Sequence, residues 1–189
     1  GKVGVYICFY FIFLLLFFLL IPSVGLAQSN SAQTQVNIVI AQMQGISISQ
    51  PSVDIYLNQL QQFSTGISSA VQTDHIRVGS TTDYEVSFHA ISGFLSLNGN
   101  NTTIPVYTIE LDATMGSDLT GNNSPPPTGT FIYPAVPLDF MYSVLVTNGA
   151  PEGGRGYNVT YTILAYNMNY FLDQVDGTYT TTIKHCKCR

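Results

Sequence analysis

Two histidines lie beside acidic residues in the middle of the chain, and such pairs are the usual starting point for general acid–base chemistry. His75 follows Asp74, and His89 lies close in sequence to Asp83 and Glu85. A hydrolase also needs a nucleophile held in register with the pair. The Gly-x-Ser-x-Gly turn that presents a serine in one large class of hydrolases does not occur in the sequence. A hydrolase is therefore only our second alternative for the function.

Two groups of residues have the chemistry of metal ligands. Calcium prefers oxygen ligands, and several lie between residues 112 and 130: Asp112, Ser117, Asp118, Asn122 and Asn123. Their spacing matches no calcium-loop pattern, and the same residue types are common in turns. We therefore expect no cofactor, with calcium in this region as the alternative. His185, Cys186 and Cys188 suit a soft metal but form an incomplete set. Pairing of these thiols with another chain is at least as plausible, and an incidental tail is the interpretation that we favour.

The N-terminal residues have the layout of a secretory signal peptide. Lys2 precedes an apolar run over residues 3–21, which Pro22 ends. Gly25 and Ala27 then supply the small side chains that signal peptidase requires. The sequence therefore predicts a signal peptide over residues 1–27.

The alternative for this segment is an uncleaved membrane anchor, because the apolar run approaches the ~18–20 residues that span a bilayer. In either case residues 28–189 are expected outside the cell, secreted or at its surface, touching a membrane only through the N-terminal segment.

The part of the chain after residue 27 carries few positive charges, with five Lys and Arg against eleven Asp and Glu. So few cations cannot build a phosphate-tracking patch, which excludes nucleic acid as a partner.

The remaining chain alternates apolar and polar residues with the period of β-strands. The pattern is clearest at residues 84–90 and 157–165, where Tyr, Val, Phe and Ile recur at every second position. Residues 36–40, 53–57 and 178–183 show the same period. Turn signals separate roughly eight to ten such segments, and no helix pattern is convincing. We predict a single all-β domain over residues 28–189: an Ig-like β-sandwich, with a jelly roll as the alternative.

Two loops could present a binding surface in such a domain. Asn98-Gly99 predicts a hairpin, with residues 104–111 as the strand that follows it. Residues 112–130 are rich in Gly, Asn, Ser and Pro and are predicted to be one long surface loop. The ligand candidates in these loops are Asn100, Asn101, Asp112, Asp118 and Asn122. With nearby tyrosines they support the first alternative function, a secreted carbohydrate-binding module.

The segment over residues 35–42 could serve as a strand for another subunit. It follows a polar stretch, and Val36, Ile38 and Ile40 alternate with the residues between them. A segment of this kind can complete the sheet of a neighbouring molecule by β-strand addition. The alternative, which most predicted strands follow, is pairing within its own domain. We call residues 35–42 the donor segment.

Three short motifs resemble the strands of bacterial secreted β-sandwich subunits, the spore-coat-U-type and fimbrial pilin-like domains. Gly177, Tyr179 and Ile183 are similar to the Gly-x-Tyr-x-x-x-[Ile/Val] strand that closes those domains, and residues 83–86 and 157–161 also look similar. The resemblance implies a structural or adhesive surface protein, and assembly into filaments through the N-terminal segment is one form that this role takes in such families. Such a protein would have itself or other surface proteins as partners.

The chain departs from those families after Ile183. Their last strand continues with alternating Val, Ile and Thr, whereas residues 184–189 read Lys-His-Cys-Lys-Cys-Arg. Either the last strand is short or the native C-terminus differs. The sequence therefore does not decide whether the last strand closes the sandwich.

Overall fold

The computed structural model describes residues 34–188, without the side chain of Cys188. The predicted signal peptide, residues 1–27, lies outside these residues. The chain divides into two compact units, Gly1–Val39 and Ile40–Arg189. Of the first unit only residues 34–39 are described, and they have no regular secondary structure. All strands named below lie in the second unit.

Antiparallel strands dominate the described chain, as the period-two alternation predicts, and the fold is all-β. The strands are β1 (Gln44–Ile48), β2 (Ile67–Ser68), β3 (Gln72–Ser80), β4 (Tyr84–Ala90), β5 (Phe94–Leu97), β6 (Asn100–Pro105), β7 (Ile109–Asp118), β8 (Phe131–Ile132), β9 (Val136–Pro137), β10 (Ser143–Gly149), β11 (Glu152–Ile163), β12 (Tyr179–Thr180) and β13 (Ile183–Cys188). Between them lie a one-turn helix, α1 (Gln62–Thr65), and two 3₁₀ segments, Val106–Thr108 and Ala165–Phe171. Within residues 34–188 no helix has the length and apolar character to cross a bilayer.

Three sheets are built from these strands. Sheet A has the order β1-β3-β11-β7-β9, with β2 pairing beside β11, and sheet B has the order β13-β4-β10-β8. Sheet C contains β12-β5-β6. Strands β3 and β7 flank the twelve-residue strand β11, with Tyr157 opposite Ile76 on one side and Met115 on the other. The long central strand thereby fixes the register of most of sheet A.

Residues from all three sheets share one hydrophobic core. The alternating residues at 84–90 are buried as predicted, with Val86 and Phe88 fully inaccessible. Tyr157 and Tyr161 are also buried, at 0% and 7% exposure, so these two tyrosines pack in the core. Burial of a large apolar side chain contributes about 1.5–3 kcal/mol, so this shared cluster is the main source of the fold's stability.

The hairpin predicted at Asn98-Gly99 is present, but its second strand lies earlier than expected. Both turn residues have positive φ, 51° and 82°, as a two-residue type I′ turn requires. The partner strand is β6 rather than residues 104–111. The 3₁₀ turn Val106–Thr108 ends β6, and the chain then enters sheet A as β7.

The loop predicted over residues 112–130 was placed too early. Residues 112–118 belong to β7, where Asp112 lies opposite Thr160 and Asp118 opposite Arg155. The polar side chains of residues 112–118 indicated a loop. These residues form a strand because the backbone of β11 supplies their ladder hydrogen bonds, and those bonds do not depend on side-chain type. The loop itself covers residues 119–130.

The last strand lies later in the chain than the strand predicted over residues 178–183. The Thr-rich segment is interrupted after Thr180, and β13 then continues through Lys184-His185-Cys186-Lys187-Cys188. Each of these residues pairs with β4, from Lys184 opposite His89 to Cys188 opposite Glu85. Pairing with a fully formed neighbouring strand therefore overrides a sequence with weak strand preference.

The strand predicted at residues 53–57 does not form a ladder with any other described residue. Its side chains nevertheless alternate, because Val53, Ile55 and Leu57 are half-buried while Asp54 and Tyr56 are exposed. The alternation in sequence therefore predicted correctly which side chains face the core. The prediction that this segment is paired in a sheet was wrong.

Candidate functional site

The donor segment carries the most exposed aliphatic side chains that the sequence singled out. Val36 is 76% exposed, Ile38 83% and Ile40 84%. Residues 34–43 belong to no strand, and residues 34–42 make no backbone hydrogen bond to another described residue. The structure thus leaves three strand-forming side chains in solvent at a spacing of two.

The donor segment leads directly into an edge strand. Met43, the residue before β1, accepts a hydrogen bond from the backbone N–H of Thr81 at 3.0 Å, and its own N–H donates to the Thr81 hydroxyl at 2.9 Å. From Gln44 onward β1 pairs with β3. The paired part of the chain therefore begins at Met43, immediately after the exposed residues.

Two of the loop candidates lie beside a shallow cleft of about 320 Å³. Asp118 and Asn122 line it, and the other lining residues are Thr120, Ser124, Pro125, Pro127, Pro151, Glu152, Gly153 and Arg155. Asp118 accepts hydrogen bonds from Thr120 N–H (2.8 Å), the Thr120 hydroxyl (2.6 Å) and Ser124 N–H (2.7 Å). The Thr120 hydroxyl and the two N–H groups hold the pKa of this carboxyl well below its ordinary value. The Asp118 carboxylate therefore stabilises the conformation of the loop that follows it.

The other candidates lie elsewhere. Asn100 and Asn101 begin β6 in sheet C and are exposed. Asp112 lies in β7, where its carboxylate accepts a hydrogen bond from Ala135 N–H at 3.3 Å. Asp118 lies six positions further along β7, which corresponds to roughly 20 Å. The structure thus distributes the five candidates over two sheets and the loop over residues 119–130, and it does not gather them into one site.

A buried charge pair beside this cleft was missed by sequence reasoning. Arg155 is 2% exposed, and its Nε donates to Glu152 at 2.9 Å. Its Nη2 donates to the backbone oxygens of Ser124 and Pro125, at 3.4 and 3.3 Å. Arg155 therefore ties the loop over residues 119–130 to β11. An arginine among four glycines looks like a turn in sequence, and no local signal indicates its burial.

A tyrosine pair continues this network into the core. The hydroxyls of Tyr84 and Tyr157 are 2.6 Å apart, and Tyr84 donates to Glu152 at 3.0 Å. Burial raises the pKa of Tyr84 far above its ordinary value and that of Tyr157 to about 12. The ammonium of Lys187 lies 5.3 Å from the centre of the Tyr84 ring. The two tyrosines therefore stay protonated at neutral pH, and their hydroxyls act as a structural network with Glu152.

The pairing of His75 with Asp74 that the sequence suggested is not formed. His75 is buried; its Nδ1 lies 3.0 Å from Gln50 Oε1 and its Nε2 lies 3.2 Å from the Tyr161 hydroxyl. Asp74 instead accepts a hydrogen bond from the Ser117 N–H at 2.8 Å. His75 is thus a satisfied core residue without access to a substrate.

The second histidine, His89, also has a packing role. Its ring lies 4.3 Å from that of Tyr142, centre to centre, and Nδ1 lies 3.1 Å from the Ala90 carbonyl oxygen. The side chain is therefore partly covered by an aromatic ring. The described contacts join it to neither Asp83 nor Glu85.

The strand period separates the ligands of the proposed soft-metal set. His185 points toward the core, where its ring lies 6.3 Å from that of His75 and 6.2 Å from that of Phe88. Cys186 is the next residue along β13, so its side chain points to the opposite face. Its Sγ lies 3.7 Å from the Tyr142 hydroxyl, and it is a free, partly exposed thiol. Within the described residues no three His, Cys, Asp or Glu side chains are grouped as metal ligands.

No protein-family model matches this chain, and the comparison with curated proteins found no match.

Proposed function

We propose that this protein is an exported, non-enzymatic structural or adhesive subunit with an Ig-like β-sandwich domain, and that it assembles with copies of itself by β-strand addition. The observation that carries the proposal is the donor segment. Its alternating side chains Val36, Ile38 and Ile40 are more than three-quarters exposed, although this is the pattern of a half-buried strand.

The cost of this exposure supports an assembly role. Docking each of the three side chains on an apolar surface would contribute about 1.5–3 kcal/mol, and added main-chain hydrogen bonds would give further affinity. Exposed apolar residues in a contiguous stretch commonly mark an interaction site. The apolar run at residues 3–21 supports export, which would bring the subunit to the cell surface.

The chemistry of the described residues is compatible with a structural role. The buried His75 and the buried Arg155 stabilise the fold through internal hydrogen bonds. The low density of charged residues, 9% of the chain, leaves little electrostatic repulsion between copies. A subunit that packs against itself benefits from such a surface.

The test is electron microscopy and size-exclusion chromatography of residues 28–189 under reducing conditions. The reductant prevents disulfides through the free Cys186 from imitating assembly. Filaments or SDS-resistant ladders are expected. They should disappear when residues 28–42 are deleted, while the circular dichroism spectrum of the domain is kept. A monomer at high concentration, or assembly that survives the deletion, would refute the proposal.

A further inference from the structure

The stretch over residues 52–57, which we call the acceptor stretch, lies on the core without being part of a sheet. Val53 and Ile55 pack against the hydrophobic core, and Leu57 is also half-buried. Ser52, Asp54 and Tyr56 alternate with them and are exposed. One side of this stretch is thus occupied by the core, as in a strand of a sheet.

Its backbone lacks the partners that a strand of a sheet would have. Before it, Ser49 N–H donates to the His75 carbonyl at 2.8 Å; after it, Gln62 N–H donates to the Gln59 carbonyl at 3.1 Å. Between these points no backbone–backbone hydrogen bond joins residues 52–57 to another described residue. The Tyr56 carbonyl accepts only a side-chain bond, from Gln62 Nε2 at 3.3 Å. A stretch whose side chains alternate as in a strand and whose backbone groups are unpaired is a template for the addition of another strand.

We propose that the acceptor stretch binds the donor segment of a second copy of this chain; this inference rests on the proposed function. Both have three apolar residues at a spacing of two. Pairing would align Val36, Ile38 and Ile40 with the half-buried residues of the acceptor stretch on the core side. Cross-strand pairs of aliphatic side chains are the stabilising unit of a sheet.

Charge and exposure favour a second copy as the occupant. The donor segment contains no charged residue, and the only charge of the acceptor stretch is Asp54, on its exposed side. Pairing therefore brings no like charges together. Ile40, which belongs to the same compact unit as the acceptor stretch, is 84% exposed, so this side chain is not seated on that stretch.

Hydrogen exchange can locate the acceptor. The recipient is residues 28–189 with V36N, I38N and I40N, three exposed substitutions that disable the donor while keeping the domain. The probe is a synthetic peptide of residues 34–43. We expect the peptide to slow amide exchange at residues 52–57 by at least tenfold, with no comparable change at the free edges of β8, β9 or β13. A peptide carrying the same three asparagines is the matched control and should slow nothing.

The outcomes separate this inference from the proposed function. If the unsubstituted protein assembles and the peptide protects another edge, or protects no residue, the acceptor assignment is wrong while assembly stands. If the unsubstituted protein remains monomeric and the peptide does not bind, both fail. Protection at residues 52–57 by the wild-type peptide alone supports the assignment.

Discussion

Replacement of His185 by phenylalanine should remove a large part of the protein's sensitivity to mild acid. His185 lies on the core side of β13, near the rings of His75 from β3 and Phe88 from β4. Its Nδ1 is buried and has no hydrogen-bond partner among the described residues. Burial, and to a lesser degree the charge of a protonated His75, lowers the pKa of His185 from 6.5 to about 4.

The direction and size of the effect follow from linkage between proton binding and folding. Above pH 6.5 the imidazole is neutral in both states and has no effect on the pH dependence. As the pH falls from 6.5 to 4, the unfolded chain binds a proton that the folded protein does not, so stability is lost. One pKa unit corresponds to about 1.4 kcal/mol. The lowered pKa of His185 therefore reduces the free energy of unfolding by about 3 kcal/mol by pH 4.

The assay is urea unfolding followed by far-UV circular dichroism between pH 7.5 and 4.0, with reductant present. Wild type and H185F should diverge below pH 6.5, and the variant should be more stable by about 3 kcal/mol at pH 4 relative to their difference at pH 7.5. Titrating carboxylates affect both proteins equally and cancel in the difference. The control is I183V on the same face of β13, which should cost about 1 kcal/mol at every pH.

A constant difference between wild type and H185F across this pH range would refute the reasoning. It would mean that the folded protein accommodates a protonated His185 as readily as the unfolded chain does. A divergence in the opposite direction would mean that the charged imidazole has a stabilising partner in the fold.

Three further predictions can be tested with the same protein. Asparagine at the three apolar positions of the donor segment should weaken self-association at least 10³-fold, because about 4 kcal/mol or more of the free energy of apolar burial is lost. Sedimentation measures this change. As the control, serine at Gln35 and Asn37 should change the association constant less than tenfold. The substitution Arg155→Met should lower the free energy of unfolding by about 3 kcal/mol in urea, because it leaves the partly buried Glu152 without its ion-pair partner; an unchanged midpoint would contradict this. Gly156→Ala should lower the melting temperature clearly, because a Cβ there would lie 2.5 Å from Asp74 Cγ. The control is Gly45→Ala, which has open space around the new Cβ and should lower the free energy of unfolding by less than about 1 kcal/mol.

Side-chain orientation was largely predictable from the sequence. The alternation at residues 84–90 and 157–163 identified the buried faces of β4 and β11 correctly, because one face of each strand lies against the core. The hairpin turn at Asn98-Gly99 was also predictable, since a type I′ turn needs residues that tolerate positive φ. These features depend on residues close to each other in sequence.

Strand boundaries and the polar interior were not predictable in this way. The sequence ended the last strand before Lys184 and began a loop at Asp112, and in both cases a paired neighbour continued the strand. The burial of Arg155 depends on Glu152 and on carbonyl groups thirty residues earlier in the chain. A charged residue reveals such partners only when the fold brings them together.

The sequence by itself determined the all-β class, the inward faces of the main strands and the apolar, alternating character of the donor segment. Each of these follows from side-chain type and a period of two. The tertiary structure alone decided that residues 112–118 and 184–188 are strand and that His75 and His185 meet near the core. It also decided that residues 52–57 lie on that core without a described backbone partner. Strand pairing depends on which backbone lies alongside, and that partner is chosen by the packing of distant segments.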